Sequence, residues 1–334
     1  HPPTHNPPSR APNPHCYPPR MPIVVQKYGG TSVGDTDRIG VIADRVVRAR
    51  EQGQDVVVVV SAMGRTTDDL LEKASDITIT PEPRELDMLL TAGERIAMSL
   101  VAIAVNARGC RAASYTGSQA GIITDTQHGK ARIVEIRPQR IKESLDAGNV
   151  VILAGFQGLS TEYDITTLGR GGSDTTAVAM AAANGADVCE IYTDVEGVFT
   201  TDPRIVATAR KIDRISYDEM LELASLGAGV MHSRSIEFAK KYDVPIHVRS
   251  SFSDTRGTLI VSESESPSAA VCGAAMTRDE ARITIQGVPD IPGSSYEIFK
   301  RLADRKITVD MIVQNVGQEN QNRIQDLFSC PTFS

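Results

Sequence analysis

Four stretches of this sequence carry residues suited to phosphate and carboxylate chemistry. The first is Lys27-Tyr28-Gly29-Gly30-Thr31-Ser32. Glycines let backbone N–H groups approach an anion, a following helix adds its N-terminal dipole, and a lysine can offset charge on a phosphoryl group in transfer. The lysine precedes the glycines, so this is neither a GxxxxGK[ST] phosphate loop nor a GxGxxG dinucleotide loop. Taken alone, a tight turn with a surface lysine explains it as well as an anion site does. The second stretch, Gly169-Arg170-Gly171-Gly172-Ser173-Asp174-Thr175-Thr176, leads into an alanine-rich helix. Its arginine can clamp a carboxylate bidentately. The plainer alternative is a loop capped by Ser173 or Asp174.

The third stretch, Thr91-Ala92-Gly93-Glu94-Arg95, sets a carboxylate beside a guanidinium within an expected helix. Glu94 could receive a substrate ammonium. Without other context an exposed ion pair of little energetic weight is the better reading. The fourth runs from Thr193 to Arg204 and offers hydroxyls, carboxylates and Phe199. That set suits the base and ribose of a nucleotide, and equally an ordinary surface loop ended by Pro203. His232 and His247 stand singly, so no metal site and no Ser-His-Asp order is expected.

The elements that must hold these stretches follow from hydrophobic periodicity. Apolar runs at Ile23–Lys27, Val56–Val60, Val150–Ala154, Val188–Tyr192 and Val244–Val248 read as buried strands. Ile39, Ile42, Val46, Val47 and Ala49 mark one helix, and further helices are expected at 68–75, 85–106 and 174–184. Alternating strands and helices imply right-handed βαβ units in a mainly parallel sheet covered on both faces, a three-layer α/β sandwich. Small and polar residues cluster just after the strands. Lys27–Ser32, Ser61–Gly64, Gly155–Gly158 and Thr193–Asp194 should therefore converge on one crevice.

Composition narrows the function classes. The chain has 334 residues and a formal net charge of −7, which argues against bulk nucleic-acid or anionic-membrane binding. No apolar run approaching the ~20 residues of a membrane span stands out. The five cysteines are widely spaced and read as free thiols in a reducing compartment. Residues 1–22 hold nine of the eighteen prolines and read as a disordered tail. The catalytic domain is expected at 23–261 and a polar linker at 262–277. A smaller βαβ-type module is expected at 278–334, with strands near 282–288 and 307–313, a helix around Ile298–Ala303, and Asp326–Phe328 as a further strand candidate.

Taken together, these segments resemble the aspartate kinases of the amino-acid kinase family. The resemblance covers about 23–316. It rests on KYGGTSVG at 27–34, VVVSAMGRTTDDL at 58–70, LLTAGER at 89–95, TGSQAG at 116–121, GFQG at 155–158, TTLGRGGSDTTA at 166–177 and YTDVEGVFTTDPR at 192–204. It implies the amino-acid kinase fold and transfer of a phosphoryl group from ATP, with Mg²⁺ carried on the nucleotide, to the side chain of L-aspartate. The product, 4-phospho-L-aspartate, begins lysine, threonine, methionine and isoleucine biosynthesis. By the same resemblance Lys27 and Asp174 are catalytic. Lys27, Tyr28, Gly29 and Gly30 would hold ATP, together with Tyr192, Thr193, Asp194, Val198, Phe199, Thr200, Thr201, Asp202, Pro203 and Arg204. Thr31, Ser32, Ser61, Thr67, Arg170, Gly171, Gly172 and Ser173 would hold aspartate, with Glu94 on its ammonium.

Residues from 282 on resemble an ACT regulatory module. Asp290, Ile291, Pro292, Gly293, Gln314 and Asn315 fall where such modules contact a lysine or threonine effector, in a homo-oligomer. Relatives of this type continue about a hundred residues further, so the module is expected to be partial and inhibition weakened. Gly229 stands where some relatives carry a lysine. A cytoplasmic enzyme is expected, or a plastid one in a photosynthetic eukaryote. The competing readings are another amino-acid kinase and a non-catalytic nucleotide- or effector-binding chain.

Overall fold

Five consecutive valines, Val56–Val60, are fully buried in the computed structural model of this chain. Each contributes roughly 1.5–3 kcal/mol of apolar burial, and they form the middle of the main sheet. The structure describes residues 21–226, 229–263, 273–276, 280–289, 293–305, 309–316 and 321–329. Two compact units divide it at Ala274/Ala275.

In the first unit β1 (Ile23–Tyr28), α1 (Thr36–Glu51) and β2 (Asp55–Val60) form the opening βαβ turn. Two helices follow, α2 (Thr66–Ile77) and the long α3 (Pro83–Asn106). Next come β3 (Ala112–Tyr115), β4 (Ile122–Thr124), β5 (Ile133–Ile136), α4 (Gln139–Asp146), β6 (Val150–Ala154), β7 (Gln157–Ser160) and β8 (Ile165–Thr167). The unit continues with α5 (Gly172–Asn184), β9 (Val188–Thr193), β10 (Arg214–Ser216), α6 (Tyr217–Ser225), α7 (Ser233–Tyr242), β11 (Ile246–Ser250) and β12 (Thr258–Val261). The main sheet has the order β10-β12-β11-β9-β1-β2-β6-β3. Its pairs are parallel except β11 with β12. Helices α1 and α3 pack together on one face, while α5 and α7 pack together on the other. This is the expected three-layer α/β sandwich.

Helix α1 starts at an N-cap, where the Asp35 carboxylate accepts from the Arg38 N–H at 2.8 Å, and it buries Ile39, Ile42, Ala43, Val46 and Ala49. Helix α3 meets the length and composition of a membrane span, which the expectation of no such run missed. In the fold it is a core helix, packed on α1, β3, β6 and β8.

A second, four-stranded sheet of order β5-β4-β7-β8 was not expected. Gln157 and Gly158, read as the end of the Gly155–Gly158 post-strand loop, begin strand β7. The fifth apolar run also moves: the strand is Ile246–Ser250 and not Val244–Val248.

The second unit contains β13 (Glu280–Pro289), α8 (Ser294–Asp304), β14 (Val309–Val316) and β15 (Gln321–Ser329). Its sheet has the order β13-β15-β14, all antiparallel. The expected parallel βαβ pair is therefore split, because β15 inserts between β13 and β14. Most of the 262–277 stretch, the 1–20 tail, Cys16, Cys272 and Cys330 lie outside the described residues. Within them Cys110 and Cys189 are free thiols.

Candidate active site

Strands β9, β1, β2 and β6 end at one level. Tyr28 is in register with both Val60 and Tyr192, and Val60 with Ala154. The backbone then ties the ends together. Gly29 N–H donates to Tyr192 O at 3.4 Å, Ser61 N–H to Tyr28 O at 3.1 Å, and Gly155 N–H to Val60 O at 2.9 Å. All four post-strand segments thus meet at the carboxyl edge, beside the point where α1 and α5 take opposite faces.

Alternation along β1 sends Lys27 and Tyr28 to opposite faces. Lys27 faces α5, and its Nζ lies 2.6 Å from Asp174 Oδ1 in the first turn of that helix, each side chain 12% exposed. The contact is a close ion pair without hydrogen-bond alignment. Tyr28 stacks on Tyr192 on the α1 face, ring centroids 4.7 Å apart, with the Arg45 guanidinium 4.5 Å above Tyr192. These two candidates for the nucleotide site therefore offer main chain at the strand ends while their rings sit in the core.

The glycine-rich turn packs on the loop after β2. Gly64 N–H donates to Gly30 O at 3.0 Å, and a Cβ on Gly30 would lie 2.9 Å from Ala62 O. Thr31 is exposed and its carbonyl accepts from the Arg38 guanidinium. Ser32 is buried, and its hydroxyl is committed to Ser251 Oγ at 2.5 Å. Ser61 and Thr67 are half-buried at the start of this loop and in the first turn of α2.

Glu94 differs from the expected exposed ion pair. It is 3% exposed, and Oε1 accepts from Ala62 N–H at 3.3 Å, while Oε2 is buried without a partner. Burial pushes its carboxyl up to about 7, against a smaller downward pull from backbone hydrogen bonds. The neighbouring Gly93 allows the approach, since a Cβ there would lie 2.8 Å from Ala62 Cβ. A buried carboxylate with one open oxygen is suited to a cation.

The Gly169–Thr176 stretch forms the loop entering α5. Gly171 sits at the N-cap with φ 68°, and a Cβ there would lie 2.3 Å from His232 Cβ. No side chain caps α5, and its first N–H, that of Gly172, donates to Gly169 O at 2.9 Å. Arg170 is exposed, while Gly172 and Ser173 are buried. His232 backs this loop and caps α7, its Nδ1 accepting from Arg234 N–H at 3.3 Å. Ser173 packs on Gly155, where a Cβ would meet Ser173 Oγ at 2.7 Å and Ser173 Cβ at 2.8 Å. Gly155→Ala is expected to displace the first turn of α5 and lower activity about tenfold or more, since site geometry is sensitive to shifts near 1 Å. Steady-state kinetics at an unchanged melting temperature would check it.

The Thr193–Arg204 segment folds against residues 210–212. Phe199 bridges Lys211, Ile212 N–H donates to Val198 O at 2.9 Å, and Val198 N–H donates to Thr258 Oγ1 at 2.8 Å. Val198 is buried; Thr193, Phe199, Thr200, Thr201 and Asp202 are half-buried; Asp194, Pro203 and Arg204 are exposed. The Arg204 guanidinium pairs with Asp202 at 2.8 Å. Of the effector candidates, Gly293 is the N-cap of α8 with φ 98°, and Gln314 and Asn315 lie on β14. Asp290, Ile291 and Pro292 lie outside the described residues. Gly229 has open space where a side chain would project.

Sequence reasoning missed the buried Asp87 and Thr167 and the half-buried His128, a polar cluster beside the Arg170 loop. A signal existed: Asp87 and Glu94 are seven residues apart on the same stripe of α3 as Leu90, Ala97, Val101 and Val105. Cavities of 380 and 540 Å³ flank the crevice without coinciding with it. One lies behind Ser32 and Ser251, the other beside His232 and Arg234.

The model of the amino acid kinase family matches residues 22–250. The aspartokinase of Mycobacterium tuberculosis is 54% identical over 93% of this chain and 75% of its own length. Aspartate kinase from Synechocystis superposes with a TM-score of 0.66 at 42% identity, over 92% of this chain and 52% of that one. E. coli aspartokinase III with aspartate and ADP gives 0.77 at 28% identity, over 92% of this chain and 79% of that one. The same enzyme with lysine and aspartate gives 0.74 at 28%, over 91% and 79%. This chain belongs to the amino acid kinase family, among its aspartokinases.

Proposed function

We propose that this chain transfers the terminal phosphoryl group of ATP to the side-chain carboxylate of L-aspartate. The observation that carries the reading is the pairing of opposite charges across the carboxyl edge of the sheet. Lys27, held by Asp174 at 2.6 Å beside the uncapped start of α5, offers a fixed cation to a phosphate. Glu94, tied to the loop after β2 through Oε1 and with Oε2 buried and unpartnered, offers a buried anion to an ammonium. An amino acid bound by its ammonium at Glu94 and by a carboxylate at Arg170 can turn its second carboxylate toward the phosphate end.

The aspartate oxygen then attacks the γ-phosphorus in line, the bond to the β,γ-bridging oxygen breaks, and ADP leaves with that electron pair. The nucleophile is already ionised, so no general base is required. Lys27 offsets charge on the transferring group, and Asp174 keeps the ammonium aimed. Magnesium would be carried on the nucleotide and would offset phosphate charge alongside Lys27. The Thr193–Arg204 segment supports the adenosine chiefly through backbone. Lysine bound to a related aspartokinase supports reading Ala275–Ser334 as part of an effector-binding region.

The test is aspartyl-hydroxamate formation from ATP, Mg²⁺ and aspartate, with lysine and threonine then added to probe inhibition. Arg170→Ala is expected to raise KM for aspartate about 10- to 100-fold, the worth of a charge-assisted bidentate contact, and to leave KM for ATP nearly unchanged. Equal turnover of glutamate or carbamate would overturn the substrate assignment.

A further inference from the structure

The three residues that precede Arg170 are each tied down by a different part of the fold. Thr167 Oγ1 donates to Asp87 Oδ1 at 2.5 Å, and its carbonyl accepts from Ala131 N–H at 2.8 Å. Leu168 N–H donates to Phe156 O at 2.9 Å, and its carbonyl accepts from Arg234 Nη1 at 2.8 Å. Gly169 lies against the 128–130 turn, where a Cβ would come 3.0 Å from Gly129 O. That turn is in turn held by Asp87. Gly129 N–H donates to both carboxylate oxygens at 3.1 Å, and His128 Nδ1 lies 2.7 Å from Oδ2. One carboxylate, 1% exposed, therefore ties together the strand that leads into Arg170 and the turn that backs it.

Asp87 lies two turns before Glu94 on α3, on the same buried stripe. A single rigid helix thus sets Glu94 against Ala62 and Asp87 against Thr167. No other acidic side chain touches this cluster among the described contacts. We propose that Asp87 is a positioning residue for the acceptor. By holding Thr167 and Gly129 it fixes the main chain from which Arg170 projects, and so sets the spacing between Arg170 and Glu94. This rests on the acceptor reading of those two residues.

A buried staple with no such role would affect stability and leave substrate preference alone. The two are separated by kinetics on two near-isosteric variants, Asp87→Asn and Thr167→Val. Asp87→Asn removes the charge and replaces one of the two accepting oxygens with an NH2 group that can only donate, so the amide cannot serve Thr167, Gly129 and His128 as the carboxylate does. Thr167→Val deletes one donor without changing shape. Asp87→Asn is expected to raise KM for aspartate about tenfold, and Thr167→Val about fivefold, with KM for ATP within about twofold in both. Because both substitutions weaken the same link, their effects in the double variant should be less than multiplicative.

Parallel rises in the two KM values, multiplying effects in the double variant, or a lowered melting temperature with unchanged KM would each overturn the proposal. If Asp87→Asn does not fold, the selective KM shift in Thr167→Val decides alone. Absence of aspartate turnover in the unsubstituted chain would overturn the kinase reading and this proposal together. Normal turnover with parallel KM changes overturns only the positioning role.

Discussion

Replacing Lys27 by alanine is expected to lower kcat about 1,000-fold, the range seen when one preorganised donor or cation is removed from a developing charge. Strand β1 lies between β9 and β2, so the lysine backbone cannot drift, and Asp174 holds the ammonium at 2.6 Å. The loss leaves Asp174, only 12% exposed, as an uncompensated carboxylate beside the polyphosphate. Removing that second charge should therefore not add to the damage. Lys27→Ala with Asp174→Asn is expected to be no slower than Lys27→Ala alone. Lys27→Arg should recover little, because a planar fork does not replace a point cation in a slot this closed. ADP release in a coupled assay, with circular dichroism to confirm folding, reads these outcomes. A kcat within about tenfold of the parent for Lys27→Ala would remove the lysine from the phosphoryl-transfer step.

How far the sequence reaches depends on whether a signal is local. The valine run of β2 and the glycines after β1 and β8 announce themselves, because burial on both faces and close backbone approach each demand particular residue types. Gly30, Gly155 and Gly171 each have a neighbour within 3 Å of where a Cβ would sit. The sheet β5-β4-β7-β8 was illegible for the opposite reason. Its strands are three or four residues long and bury Thr124, Gln157, Ser160, Thr166 and Thr167. Such polar residues in so short a run look like loop. Only the cross-chain bonds, such as Thr124 Oγ1 to Thr166 Oγ1 at 2.6 Å, make them core. The insertion of β15 between β13 and β14 is likewise a long-range pairing that no local pattern encodes.

Glu94 shows the same limit within the site, since its neighbour Arg95 suggested a surface pair while the helical stripe placed it inside. Its burial gives substitution at Glu94 opposed effects on stability and on substrate affinity. The carboxyl is raised from 4.5 to about 7 in the folded chain, mainly by burial. Stability from this group is complete below the unfolded value and is lost as pH rises through about 7. The shift corresponds to roughly 3 kcal/mol above that pH. Glutamine cannot ionise, so Glu94→Gln should match the parent near pH 4 and exceed its melting temperature by several degrees at pH 8. The same substitution removes the anion offered to the substrate ammonium and should raise KM for aspartate about 10- to 100-fold at pH 8. In the parent, aspartate affinity should weaken as pH falls through about 7, whereas in Glu94→Gln it should stay flat over that range. A variant less stable than the parent at pH 8, with an aspartate pH profile like the parent's, would refute the assignment. The expected gain in stability and loss of affinity have one origin: the fold buries a charge that only a bound cation can compensate, which is how a binding site differs from a core.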